Sequence, residues 1–144
     1  MSKGKLLAID YGARHIGLAV SDSDRQMAFG RGTLLNKNIQ QVFKDLSRMV
    51  SEEQVSLILL GLPMGADGGD TPQTLKIRAF AEDFGNYLKE KGLNIKIEFI
   101  DESFSSFEAN QMLQGLGVTG RDRKKTEDEL SAVVLIHRYI DFRP

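Results

Sequence analysis

The chain contains no cysteine. That absence excludes a disulfide scaffold, a thiolate zinc site and a thiol nucleophile, and it makes a reducing compartment, the cytoplasm by default, the expected setting. Histidine is nearly as scarce: His15 and His137 are too few for a zinc site, and His137 is assigned no role. There is no excess of one charge sign, because 19 basic and 20 acidic residues leave a net charge of −1, so no global basic field advertises a nucleic-acid ligand. Long apolar runs are also missing. The first, residues 6–9, stops at Asp10, too short for a signal-peptide core or a membrane span, and no membrane partner is expected. Neither a linker nor an internal repeat interrupts the chain. What remains is 144 residues, 41% hydrophobic and 27% charged, which predicts one domain over residues 1–144. A domain of this size buries roughly two-thirds of the surface its unfolded chain exposes and needs no disulfide or structural metal.

Periodicity predicts the elements. KLLAID (5–10) and IGLAVS (16–21) flank a polar turn and read as a hairpin, with a third extended run over 27–35. Residues 39–53 place apolar side chains at helical spacing, with Asn36 or Asn38 as the cap. VSLILL (55–60) reads as a strand covered on both faces, and 65–72 as a glycine-rich loop. A second helix is expected from Leu75 to a stop at Gly92, then an alternating strand over 95–100. Helices are expected over 105–116 and 126–141, the last opened by the capping box Thr126-Glu127-Asp128-Glu129. This order predicts an α/β fold with a mixed five-stranded sheet flanked by helices on both faces.

Three carboxylates stand at element ends. Asp10 closes the first strand, where Gly12 and Gly17 allow other groups close to the backbone; the simpler reading is a turn-forming aspartate. Asp101 and Glu102 follow the strand over 95–100, either as ligands or as a strand-to-helix turn with Ser105 or Ser106 as the cap. Asp128 falls in the first turn of the last helix, where the macrodipole favours an anion without any function. Taken together, the three suit Mg²⁺ or Mn²⁺, which prefer oxygen ligands, and in-line phosphodiester hydrolysis is the chemistry such ions support. Arg121, Arg123, Lys124 and Lys125, with only Asp122 against them, are read as a basic loop able to grip a phosphate backbone or as a solvated charge run.

Motifs along nearly the whole chain then coincide with a known family. IDYGARHIGLAVSD (9–22), GLPMGADGGDTPQ (61–73) with IRAFAEDF (77–84), DESFSS (101–106) and KKTEDELSAVVLI (124–136) make the chain resemble the YqgF family. Its members are Holliday junction resolvase-like proteins, also described as pre-16S rRNA nucleases. The resemblance implies an RNase H-like fold in which Asp10, Glu102 and Asp128 match the family's three metal-binding acidic positions. The chain departs from the pattern at Ser103 and Ser106, where the family more often has Arg and Thr; Arg14 or Arg78 is expected to supply the phosphate contact instead. Asp22, within the first motif, reads as a turn residue.

Three functional readings follow. The first is a metal-dependent nuclease that, by the resemblance, processes the 5′ end of pre-16S rRNA, with branched DNA as the older alternative. The second is a non-catalytic nucleic-acid or ribosome-assembly binding protein with inherited carboxylates. The third is nucleotide binding in the manner of the actin and sugar-kinase group; a chain with one such domain and no second phosphate loop argues against it. A monomer or weak homodimer is expected; an enzyme acting symmetrically on a four-way junction would dimerise, since two-fold substrates favour two-fold proteins.

Overall fold

The computed structural model describes residues 3–64, 67–102 and 120–142, with 120–126 and 142 described by backbone alone. A hairpin of β1 (Lys5–Tyr11) and β2 (His15–Ser21) is extended by β3 (Ala28–Leu35) on one side. On the other side β1 pairs in parallel with β4 (Val55–Leu62), which pairs in parallel with β5 (Lys96–Asp101). The sheet order is β3-β2-β1-β4-β5, so the strand carrying Asp10 is central. This is the mixed sheet expected from the element order.

Alternation along β1 divides the core. Leu7 and Ile9 face helices α1 (Ile39–Glu52) and α2 (Pro72–Glu90), together with Ile16, Leu18, Ile58 and Leu60. Leu6 and Ala8 face the opposite way, with Ala19, Leu57 and Leu59, and are covered by Ala132, Leu135 and Ile136 of α3 (Gly120–Phe142). Helices thus lie on both faces, as predicted. A strand end between two buried layers holds its side chains at fixed positions, because neither layer leaves room for it to shift.

The caps are resolved in detail. Asn38, not Asn36, caps α1, its side chain accepting the Gln40 and Gln41 amides at 3.0 and 3.2 Å. Helix α2 begins at Pro72 rather than Leu75. Thr71 accepts the Thr74 amide at 3.2 Å and Thr74 accepts the Thr71 amide at 3.1 Å, a reciprocal cap in which proline at the first helical position gives up only a donor that has no partner there.

Two expectations about the last helix are corrected. It starts at Gly120, so Arg121, Arg123, Lys124 and Lys125 occupy helical backbone and not a loop. Lysine and arginine are good helix formers and carry the helix back through this segment. The Thr126–Glu129 signature therefore lies inside the helix, where the amides already have partners. The helix predicted over 105–116, and Ser103, Ser105 and Ser106 with it, lie outside the described residues.

Candidate active site

Asp10 is the penultimate residue of β1 and is 8% exposed. Its parity is that of Leu6 and Ala8, so it belongs to the α3 face. Its partner across the antiparallel ladder is Gly17, and on the parallel side the register Ile9↔Leu60 puts Gly61 next in line. An aspartate is therefore flanked by two residues without side chains, and both gaps are filled by parts of the other acidic residues.

On the β2 side, a Cβ on Gly17 would lie 2.0 Å from the backbone oxygen of Asp128. Helix α3 thus rests directly on the strand beside Asp10, an approach that any larger residue at 17 would block. The sequence reading of Gly17 as a place of close approach is borne out. On the β4 side, a Cβ on Gly61 would lie 2.8 Å from Oε2 of Glu102 and 3.1 Å from Cδ1 of Leu135. Glu102 reaches this position because its amide donates to the Leu62 carbonyl at 3.3 Å, continuing the β4–β5 ladder one residue past the strand. Both Glu102 and Asp128 are half-buried.

Asp10, the Glu102 carboxylate and the backbone of Asp128, from β1, the end of β5 and α3, thus lie on one face of the sheet near the C-terminal end of the central strand, where ligands of open α/β sheets bind. Among the described residues, no group of three His, Asp or Glu side chains is close enough to hold a metal ion as it stands. The donor set still fits a hard divalent ion: all its ligands are carboxylate oxygens, and the cradles over Gly17 and Gly61 leave the acids room that side chains there would occupy.

The neighbouring residue Glu129, read from the sequence only as the last residue of a capping box, instead makes a contact with β3. Its Oε2 accepts the amide of Gly32, and its side chain fills the place a Cβ on Gly30 would take. This contact ties α3 to β3 where the β2–β3 register shifts. The two glycines in AFGRGTLL were the available signal. Arg138, also unanticipated, donates to the Asp101 carbonyl at 2.9 Å and ties the same helix to β5.

The predicted basic residues divide. Arg14 is exposed in the β1–β2 turn, at the same end of the sheet as Asp10. Arg78 lies in the other layer, paired with Asp70 at 3.2 Å and held over the Phe99 ring at 5.5 Å, so the structure does not bring it to the acidic face. The side chains of Arg121, Arg123, Lys124 and Lys125 lie outside the described residues. Asp22 is at the far end of β2 from Gly17 and shapes a turn, its Oδ1 accepting the amides of Gln26 and Met27 at 2.8 and 2.9 Å. Hydrogen bonding from Met27 foremost, against a smaller effect of desolvation, holds its carboxyl below the usual aspartate range.

Among the described residues no helix is long and apolar enough to cross a membrane. Comparison with known proteins agrees with this fold. A protein of Maridesulfovibrio salexigens named "Putative pre-16S rRNA nuclease" is 32% identical over 136 residues, covering 94% of this chain and 97% of its own. One of Koribacter versatilis with the same name is 35% identical over 140 residues, covering 97% and 88%. Among solved structures, Thermus thermophilus RuvC in complex with a Holliday junction substrate aligns with a TM-score of 0.57 at 15% identity, over 97% of this chain and 96% of that one. The fowlpox virus resolvase bound to junction DNA aligns at 0.56 and 13% identity, over 96% and 97%. At such identities the likeness is one of fold, the RNase H-like fold of RuvC-type resolvases. A family model described as "RuvX: Holliday junction resolvase" matches residues 4–142, and with relatives above 30% identity along nearly the whole chain, the protein belongs to that family, the one the sequence motifs resembled as YqgF.

Proposed function

We propose that this protein is a divalent-metal-dependent nuclease that hydrolyses phosphodiester bonds of pre-16S rRNA during 5′-end processing, in the cytoplasm, with Asp10, Glu102 and Asp128 as its catalytic acids. The observation that carries the reading is the placement of Asp10 between Gly17 and Gly61, under the Asp128 backbone and beside the Glu102 carboxylate. The RNA substrate is drawn from the names of the relatives.

In this reading Asp10, Glu102 and Asp128 hold Mg²⁺ or Mn²⁺. When bound, such an ion lowers the pKa of a water molecule and neutralises charge developing on the phosphoryl oxygens. Asp10 supplies the fixed point, because its strand is packed on both faces. Glu102, on the last rung of the ladder, and Asp128, on a helix resting on Gly17, would supply the other carboxylate oxygens. Arg14 at the rim, together with Arg121, Arg123, Lys124 and Lys125 in the first turns of α3, would supply the cations that meet the phosphate backbone.

Cleavage of labelled pre-16S 5′-flank RNA and of a four-way DNA junction by wild type and Asp10→Asn, each with Mn²⁺, Mg²⁺ or EDTA, tests the reading. Metal-dependent cutting of the RNA, lost in Asp10→Asn with the fold intact, is the expected outcome. Cutting of the junction alone would transfer the activity to branched DNA. Binding without cutting in every lane would replace the enzyme with an assembly-binding protein.

A further inference from the structure

On the other side of the central strand from Asp10, the chain builds a cleft of about 440 Å³ at the same end of the sheet. Its floor is Tyr11, half-buried and packed on Phe80 with ring centroids 4.5 Å apart. Ile39, 40% exposed, adds apolar surface from the first turn of α1. Lys37 and Lys76 line it and are exposed, against one acid, Asp83, so the cleft is net cationic in a chain of net charge −1.

The rim between this cleft and Asp10 is tied together by one residue. Asn36 donates through Nδ2 to the Gly12 carbonyl at 2.8 Å, and its backbone amide donates to the Arg14 carbonyl at 2.8 Å. The β1–β2 turn and the segment leading into α1 therefore form one unit, which holds Tyr11, Arg14 and Lys37 in place relative to Asp10. An aromatic floor, an aliphatic wall and two lysines lining the same cleft are the elements that receive an unstacked nucleotide, with the base on the ring and the phosphate met by the ammonium groups. A base within a duplex has its faces covered by its neighbours and cannot reach such a floor.

We propose that this cleft binds one unpaired nucleotide of the substrate strand, next to the phosphodiester presented to Asp10, and so selects substrates with a single-stranded flank. This deepens the nuclease reading and rests on it for the position of the strand. The test is binding of fluorescein-labelled oligouridine, and of a blunt RNA duplex of equal length, to wild type, Lys37→Ala/Lys76→Ala, Tyr11→Leu and Asp10→Asn, measured by anisotropy in EDTA across a salt series. Circular dichroism checks the fold, and cleavage of pre-16S flank RNA with Mn²⁺ is measured in parallel.

The lysine variant, which alters exposed side chains only, is expected to lose about tenfold in oligouridine affinity with a shallower salt dependence, and Tyr11→Leu several-fold, while duplex binding and binding by Asp10→Asn stay unchanged. Unchanged oligouridine affinity in the lysine variant would overturn the site, as would an equal loss for duplex and single strand, or no binding of either RNA by wild type, which would leave the cleft to a protein partner. If wild type cuts nothing while oligouridine binding still depends on Lys37 and Lys76, the nuclease reading falls and the nucleotide site stands.

Discussion

The backbone oxygen of Asp128 lies 2.0 Å from the point where a side chain on Gly17 would begin, and Gly17 is the residue paired with Asp10. The acid on the last helix and the acid on the central strand are therefore held in register by the absence of a methyl group.

Gly17→Ala should force α3 away from β2, because the conflicting atom is backbone and cannot rotate aside. Overpacking of this kind costs about 1–3 kcal/mol. The lost alignment should lower cleavage by roughly 100-fold, as a displacement of about an ångström does. Denaturant melts and single-turnover cleavage would measure both; wild-type activity in a folded Gly17→Ala protein would dissociate Asp128 from the site.

At Gly61 the neighbours are the ends of flexible side chains, Glu102 and Leu135. Gly61→Ala should thus cost less stability than Gly17→Ala, roughly 1 kcal/mol, yet still impair cleavage by turning Glu102 out of its place. Equal stability losses in the two variants would contradict the distinction.

Glu129 offers a way to loosen Asp128 without touching the acids. Glu129→Ala removes the acceptor for the Gly32 amide and should reduce cleavage about tenfold, in line with loss of a positioning contact. Glu129→Gln keeps an acceptor oxygen and should recover most of it. Failure of the glutamine variant to do better than alanine would rule out the hydrogen bond as the cause.

Asp22 carries a pH signature. Its carboxylate, held below the ordinary range chiefly by the Met27 amide, stabilises the fold fully above the unfolded aspartate pKa of about 3.9. That contribution disappears as pH falls through the lower folded value. Asp22→Asn should therefore melt below wild type near neutrality and converge with it in acid. A difference that stays constant across the acid range would remove the titration from the explanation.

The reciprocal Thr71–Thr74 cap predicts that Thr71→Ala destabilises the protein by about 1 kcal/mol, with cleavage unchanged once the protein is folded. Thermal unfolding and the cleavage assay would check the two parts together.

Strand positions and the sheet's mixed character were legible because β1 and β4 alternate or run apolar without interruption, and the acids at strand ends stood out for the same reason. The starts of α2 and α3 were less legible. Thr71-Pro72 reads equally as a loop until the pairing with Thr74 is seen, and the Thr126 capping signature, sound as a local pattern, lies where the helix has already formed. Arg78 could not be assigned to a layer from sequence, since its side depends on where α2 crosses the sheet. The contact made by Glu129 was invisible for a similar reason: its partner, Gly32, lies 97 residues away in the chain, and only packing brings them together.

The crossing of α3 over the whole sheet bears on when the protein can act. Asp10 and Glu102 precede Gly120 in the chain, and the third acid arrives only with the helix that follows it. A polypeptide still emerging during translation thus carries an incomplete set of acids on an uncovered face, and the site comes together only after α3 has been made and docked. On the proposed site assignment, a product truncated before α3 is expected to be inert.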